Sequence, residues 1–199
     1  FTGITAGAIQ FNWLANSNPA WTDYRVLSST APDPLAPGGA VVLSSDTLNL
    51  FLSSSSLTAN TTYFFRVAAI NNNNVITSYA ASQGTATLAN QPVFSAFSGL
   101  TGTAVQFSWT QNGNTDGTLY RVAVSTAPDP LSPGGAVATS SDTYNLFLST
   151  AGLSANTTYY FSAAAINRNG IVTSYTAAQA TATLANQPVF SGFSGLTKT

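Results

Sequence analysis

Apolar and polar residues alternate with a period of two along several short stretches of the chain. Val105, Phe107 and Trp109, for example, are separated by polar residues, so one face of the stretch is apolar and the other is polar. This period predicts β-strands with one buried face. The clearest such stretches are 9–13, 63–69, 105–109, 120–124 and 159–165. No stretch of useful length has a helical period, so the pattern predicts an all-β fold.

Turn-forming residues separate these predicted strands. Residues 127–135 contain three prolines and two glycines, a composition that excludes a helix or a central strand. Asn169-Gly170 is typical of a two-residue hairpin, and Asn73-Asn74 occupies the matching place earlier in the chain. We also expect a short edge strand over 136–139 and a strand through Tyr144, Leu146 and Leu148. This gives about seven strands in about 96 residues, the size of a Greek-key sandwich.

The chain is a tandem repeat. Shifted by 96 residues it aligns with itself without a gap, and about two thirds of the aligned positions are identical. We predict a first repeat over 1–90, a second over 91–187, and an opening strand over 188–199. That last strand either begins a third repeat, which makes the chain a window from a longer array, or completes a neighbouring molecule by strand addition.

Each repeat resembles a fibronectin type III domain, and the resemblance covers both repeats completely. It is carried by Trp13 and Trp109 on the second strand, by Tyr-Arg-Val on the third, and by Leu-x-x-x-Thr-x-Tyr-x-Phe after it. The resemblance implies two seven-stranded immunoglobulin-like β-sandwiches in tandem, with Trp13 and Trp109 in the cores. It also implies a tyrosine corner at Tyr63 and Tyr159, where we expect the hydroxyl to find a backbone acceptor.

Charged residues make up only 6% of the 199 residues, against roughly 25% in an ordinary soluble domain. Without clustered Lys and Arg, the sequence argues against nucleic acid and anionic membrane surfaces as partners, and no apolar run predicts membrane insertion. The chain has no His, Cys or Met. This removes the usual zinc and haem ligands, disulfides and the common serine triad, so we expect no cofactor and no enzyme activity.

The six acidic residues are all Asp and form no calcium-loop motif. Asp33, Asp129, Asp46 and Asp142 therefore suggest turn or capping roles, with calcium binding as the alternative.

A few residues are candidates for modification or binding. Asn60 and Asn156 begin Asn-Thr-Thr, an acceptor pattern for N-glycosylation, although the tyrosine corner explains the same residues. Trp21, Asn72 and Arg168 lie in predicted loops that could form a contact or ligand surface. Trp21 has no equivalent in the second repeat, which favours an inter-domain contact over a ligand platform.

Strands so poor in charge would leave sheet edges with little protection against association. We therefore expect self-association with copies of the chain or with neighbouring repeats, head-to-tail or laterally. The leading hypothesis is a structural repeat of an extracellular or cell-surface bacterial protein, such as a stalk, filament or surface layer. The alternatives are an adhesin or carbohydrate-binding module with a glycan or cell-surface ligand, and a spacer in a secreted polysaccharide-degrading enzyme.

Overall fold

The computed structural model describes residues 1–36, 41–131 and 137–192. These residues form thirteen β-strands. In chain order they are β1 Ile9–Asn12, β2 Asp23–Ser29, β3 Val41–Thr47, β4 Phe51–Ser54, β5 Thr62–Ile70, β6 Gln83–Ala86, β7 Val93–Ser98, β8 Val105–Thr110, β9 Leu119–Ser125, β10 Val137–Thr143, β11 Phe147–Thr150, β12 Thr158–Ile166 and β13 Gln179–Ala182. The prediction of an all-β fold is confirmed.

The second repeat is a sandwich of a three-stranded and a four-stranded antiparallel sheet. The first sheet has the order β11-β8-β7, and the second has the order β10-β9-β12-β13. Their inner faces supply one continuous core, in which Phe107, Phe161 and Val122 are fully buried. The predicted count of seven strands is confirmed for this repeat.

The first repeat has a matching four-stranded sheet in the order β3-β2-β5-β6, but six described strands in place of the predicted seven. Its other sheet pairs β1 with β4, and next to β1 there is only an isolated bridge between Thr2 and Gln10. Its core is built around Ile9, Phe11 and Phe65. The alternation of apolar residues seen in the sequence places these side chains on the inner face.

A β-bulge sets the side chains of β7. Phe94 and Phe97 are three positions apart and would point to opposite faces of a regular strand. The register of β7 on β8 shifts between Phe94 and Ala96, and this extra residue lets both rings pack against the core. The two ring centroids are 5.1 Å apart.

The strand predicted through Tyr144, Leu146 and Leu148 is wrong in its first half. Strand β11 begins only at Phe147, and Tyr144 is 69% exposed in the bend before it. The edge strand predicted over 136–139 is longer than expected: it is the seven-residue strand β10, which also includes the polar residues 140–143. Alternation of Tyr and Leu is therefore compatible with an exposed bend, because period two alone says nothing about pairing.

The last described residues, 188–192, lie outside the thirteen strands, so their predicted role as an opening or donor strand stays a prediction. Residues 37–40 and 132–136, at the end of the two predicted proline-rich loops, lie outside the described residues, as do residues 193–199. Among the residues that the structure describes, no helix has the length and apolarity needed to cross a membrane.

Candidate functional site at the joint between the repeats

The tyrosine of each corner is tied to the backbone that precedes it. Tyr63 and Tyr159 are buried, and each hydroxyl lies 2.9 Å from a backbone amide five residues upstream, that of Thr58 or Ser154. The hydroxyl therefore accepts a hydrogen bond from an amide, where the sequence had suggested a backbone acceptor. This bond closes the loop that carries the chain from one sheet to the other.

Asn60 ends the first corner in a conformation that few residues adopt. Its φ is 51°, in the left-handed region that Asn tolerates because its short side chain bonds locally. Its backbone N–H donates to the carbonyl oxygen of Leu88 at 3.1 Å. This conformation directs the Asn60 side chain away from its own repeat and towards the loops of the second one.

The second repeat surrounds Asn60 with hydrogen-bonding groups. Asn60 Nδ2 donates to Thr118 Oγ1 at 2.7 Å, and Asn60 Oδ1 accepts from the backbone amide of Arg168 at 2.8 Å. The Asn60 carbonyl oxygen accepts from Thr115 Oγ1 at 2.9 Å and from Arg168 Nε at 3.1 Å. Asn60 is 1% exposed, so its donors and acceptors are satisfied inside the contact.

The turn that follows β12, residues 167–170, forms another part of this contact. Asn167 Oδ1 accepts from the amides of Asn169 and Ile171, which fixes the turn, while its Nδ2 donates to the carbonyl oxygen of Thr87 at 3.1 Å. Asn169 Nδ2 reaches Thr85 Oγ1 at 3.0 Å. The same side chains thus shape the loop and bind the neighbouring repeat.

Asn90, on the connection between the repeats, is clamped by amide side chains. Asn90 N donates to Asn114 Oδ1 at 2.7 Å, and Asn114 Nδ2 donates back to the Asn90 carbonyl at 2.8 Å. Asn112 Nδ2 donates to the carbonyl oxygen of Gln91, and Gln91 Nε2 donates to that of Tyr175 at 2.6 Å. We use the name joint for the contacts that Asn60, Thr85, Thr87, Asn90 and Gln91 make with residues 112–118, 167–169 and 175. Almost all of the groups that form its hydrogen bonds are neutral.

Two ion pairs lie away from the joint, on the sheet surfaces. Arg25 and Arg121 each form two hydrogen bonds, of 2.7 and 2.8 Å, with the carboxylates of Asp46 and Asp142 on the adjacent edge strands. Hydrogen bonding to these guanidinium groups holds the pKa of Asp46 and of Asp142 below its ordinary value. The prediction of turn roles for Asp46 and Asp142 is wrong, because both lie within strands and pair across them.

Asp33 and Asp129 have the predicted turn role. Each carboxylate accepts a hydrogen bond from the amide two residues ahead, at 2.9 and 3.0 Å. Asp33 also lies 3.0 Å from Arg66 Nε. In residues 1–36, 41–131 and 137–192, no three acidic side chains come together as a metal site.

The two glycosylation candidates differ in their surroundings. The structure contradicts a glycan on Asn60, because the nitrogen that would carry it is buried against Thr118. Asn156 has the same φ of 51° but its side chain is exposed. Modification of Asn156 stays a prediction.

The other predicted residues are spread over the chain. Trp109 is 2% exposed in the second core, whereas Trp13 is half-buried against the first. Arg168 is part of the joint. Trp21 is 68% exposed beside Asn72 on the opposite end of the first repeat, so among the described residues it makes no inter-domain contact, against our expectation.

Sequence reasoning missed most of the joint, namely Asn90, Gln91, Asn112, Asn114, Thr118 and Asn167. A signal was present, since each of these six residues has an identical residue 96 positions away in the other repeat. Identity at polar loop positions is the feature that a conserved contact between repeats would require.

Comparison of the fold with solved structures gives a close match in architecture. A two-domain fibronectin type III segment of chicken tenascin superposes with a TM-score of 0.58 over 92% of this chain and 95% of that one, at 15% sequence identity. The fold is that of two fibronectin type III domains in tandem. The implied tandem arrangement of fibronectin type III-like sandwiches is thereby confirmed.

Two further structures are similar at lower scores. The first three fibronectin type III domains of chicken CNTN1 give a TM-score of 0.39 at 14% identity, over 92% of this chain and 64% of that one. The FN5 domain of Drosophila Lar gives 0.38 at 19% identity, over 50% of this chain and all of that one. No protein-family model and no curated protein sequence matches the chain.

Proposed function

We propose that the chain is a non-catalytic structural repeat of an extracellular stalk, filament or surface-layer protein, which assembles through copies of itself or neighbouring repeats. The observation that carries this proposal is the joint. Side chains from one sandwich are buried in the loops of the next, so the two fibronectin type III domains are held to each other by more than their connection. A spacer that keeps its length under load needs such a contact.

The chemistry of the joint suits an exposed environment. Its hydrogen bonds join amides, hydroxyls and backbone groups, and among the described residues Arg168 is the one charged side chain that forms a hydrogen bond across it. Neutral hydrogen bonds are neither titrated near neutral pH nor weakened by ionic screening as ion pairs are. The absence of Cys and Met from the sequence also removes the side chains that oxidise most readily.

The rigidity of the joint can be measured directly. Because the sequence has no Cys, Ser53→Cys and Ser149→Cys introduce one spin label on the exposed face of each repeat. We expect a narrow distribution of distances between the labels, which broadens in Asn60→Gly and stays narrow in the matched variant Asn156→Gly. A distribution that is broad in the parent chain would contradict the structural role.

Exposure at the cell surface has its own test. Protease applied to intact source cells should release peptides of this chain while leaving cytoplasmic marker proteins whole. Peptides that appear only after lysis would contradict the extracellular assignment.

A second candidate function is carbohydrate binding, which Trp21 favours. Its indole is exposed in a shallow cleft of about 220 Å³ that also presents Asn18, Asn71 and Asn72. An aromatic face with neighbouring amides is suited to stacking against a sugar and bonding its hydroxyls. A glycan array compares the parent chain with Trp21→Gly, the residue type that the second repeat has there. Binding that depends on Trp21 would support this function, and the absence of binding in the parent chain would dismiss it.

A further inference from the structure

The two halves of the joint recur at opposite ends of the molecule. One half, the corner half, consists of Asn60 and residues 85–91; its repeat copy is Asn156 and residues 181–187. The other, the loop half, consists of 112–118 and 167–170; its repeat copy is 16–22 and 71–74. Inside the chain, the corner half of the first repeat meets the loop half of the second.

The corner half of the second repeat and the loop half of the first take no part in the joint, and we call them the unused halves. They expose residues whose equivalents are buried in the joint. Asn60 is 1% exposed and Asn167 is 4% exposed in the joint, whereas their equivalents Asn156 and Asn71 are exposed. Thr118 is 2% exposed, and its equivalent Thr22 is half-buried. In the described part of the chain, the side chains of Asn156 and Thr22 have no hydrogen-bond partner.

Around Asn156 and Asn71, both unused halves already have the backbone conformation found in the joint. Asn156 has the φ of Asn60, and its amide donates to Leu184 O at 3.1 Å as that of Asn60 does to Leu88 O. Asn71 Oδ1 accepts from the amides of Asn73 and Val75, both at 2.9 Å, which repeats the turn around Asn167. Docking would therefore require little ordering of either surface.

We propose that the corner half of one copy, centred on Asn156, docks into the loop half at Thr22 and 71–74 of a second copy. This rests on the proposed structural function and names the surface through which copies assemble. Asn156 Nδ2 donates to Thr22 Oγ1, and Asn156 Oδ1 accepts from the amide of Asn72. Two different surfaces meet, so a dimer formed by this contact keeps one corner half and one loop half free, and further copies can add to either.

The contact between copies is weaker than the internal joint. Asn72 replaces Arg168 and Pro19 replaces Thr115, so two donors to the corner carbonyl are missing. Trp21 replaces Gly117, where no atom lies within 4 Å of the place that a Cβ would occupy. Gly117 has a φ of 74°, and Trp21 is not among the residues with a positive φ, so the two loops differ in backbone at this position. The exposed Trp21 side chain lies next to Thr22 and can add apolar area to the contact.

Paired variants test this arrangement in sedimentation equilibrium. Asn156→Gly removes the corner side chain at a left-handed position that Gly adopts freely, and Thr22→Val removes the hydroxyl with little change of shape. Ser56→Gly, at the exposed left-handed position that the second repeat fills with Gly152, is the control. Thermal unfolding checks that each variant has kept its fold.

We expect the average mass of the parent chain and of Ser56→Gly to rise with concentration. In Thr22→Val, measured alone, association should weaken by about tenfold, as expected for one lost hydrogen bond of about 1.4 kcal/mol. In Asn156→Gly, measured alone, it should weaken by more, because both hydrogen bonds of the side chain are lost. An equimolar mixture of the two should form dimers as readily as the parent chain associates, because an intact corner half faces an intact loop half. Assemblies larger than a dimer should form less readily, because each further contact needs a damaged half.

The opposite results separate the two proposals. If both variants associate as strongly as the parent chain, copies assemble through another surface; this overturns the docking at Asn156 and leaves the structural function standing. A parent chain that stays monomeric at about 1 mM overturns assembly between copies, while the label distances still decide whether the internal joint is rigid.

Discussion

Asn60 Oδ1 accepts a hydrogen bond from the backbone amide of Arg168, 108 positions away in the sequence, at 2.8 Å. The bond joins the tyrosine corner of one sandwich to a hairpin loop of the next. A turn residue needed for the fold of the first repeat therefore also fixes its neighbour. The corner and the joint are two uses of the same short segment.

This double role predicts a difference between Asn60→Gly and Asn156→Gly. Both substitutions keep the left-handed conformation, but only the first breaks hydrogen bonds within the chain. We expect Asn60→Gly to lower the free energy of unfolding by about 1–3 kcal/mol more than Asn156→Gly does. Chemical denaturation of the dilute protein measures this difference. Equal effects of the two variants would show that the joint adds nothing to stability.

The hydroxyl of Tyr159 supports a second prediction. Tyr159→Phe keeps the buried ring but leaves the amide of Ser154 without its partner, so we expect a loss of about 1–2 kcal/mol. Tyr160→Phe, one position further along β12, is the control, because no described residue bonds to that hydroxyl. Urea unfolding curves that coincide for the two variants would remove this role of the corner.

The cores predict unequal effects of the same substitution in the two repeats. Trp109 is 2% exposed and pairs in register with Phe94 on β7, whereas Trp13 is only half-buried. Trp109→Ala should cost about 3–5 kcal/mol, and Trp13→Ala should cost less because a smaller cavity results. Circular dichroism during thermal unfolding compares the two, and an equal or larger loss for Trp13→Ala would contradict the packing.

Much of the fold could be predicted from the sequence because local pattern and burial agree. Strand β8 shows this well, since Val105, Phe107 and Trp109 alternate in the sequence and are all buried. The bend at Tyr144 could not be predicted, because alternation does not say which strand pairs with which. Pairing depends on residues distant in the sequence.

The joint was harder to predict than the fold for a related reason. Asn60, Asn90 and Asn167 are ordinary turn residues by every local criterion, and each does serve a turn. Their second function depends on where the connection places the next sandwich. A single sequence contains this information only as the repetition of the same polar residues at the same loop positions.

The ion pairs predict how stability depends on pH. The pKa of Asp46 and of Asp142 is lowered in the folded chain by the hydrogen-bonded Arg25 and Arg121, so their contribution is present above the unfolded value of about 3.9. It is lost as the pH falls through the lower folded values. We expect the melting temperature to be flat from about pH 5 to 8 and to fall below about pH 4.

The matched variants Asp46→Asn and Asp142→Asn should lower the melting temperature slightly at neutral pH and flatten the decline in acid. The side chains of both pairs are partly exposed, between 35% and 43%, so the effect is small. Asp116 lies in a loop of the joint, but none of the hydrogen bonds that the described residues form across the joint involves a carboxylate. In acid the label distances should therefore stay narrow until the sandwiches unfold. A joint that loosens before unfolding begins would mean that charge, and not neutral amide bonding, holds the repeats together.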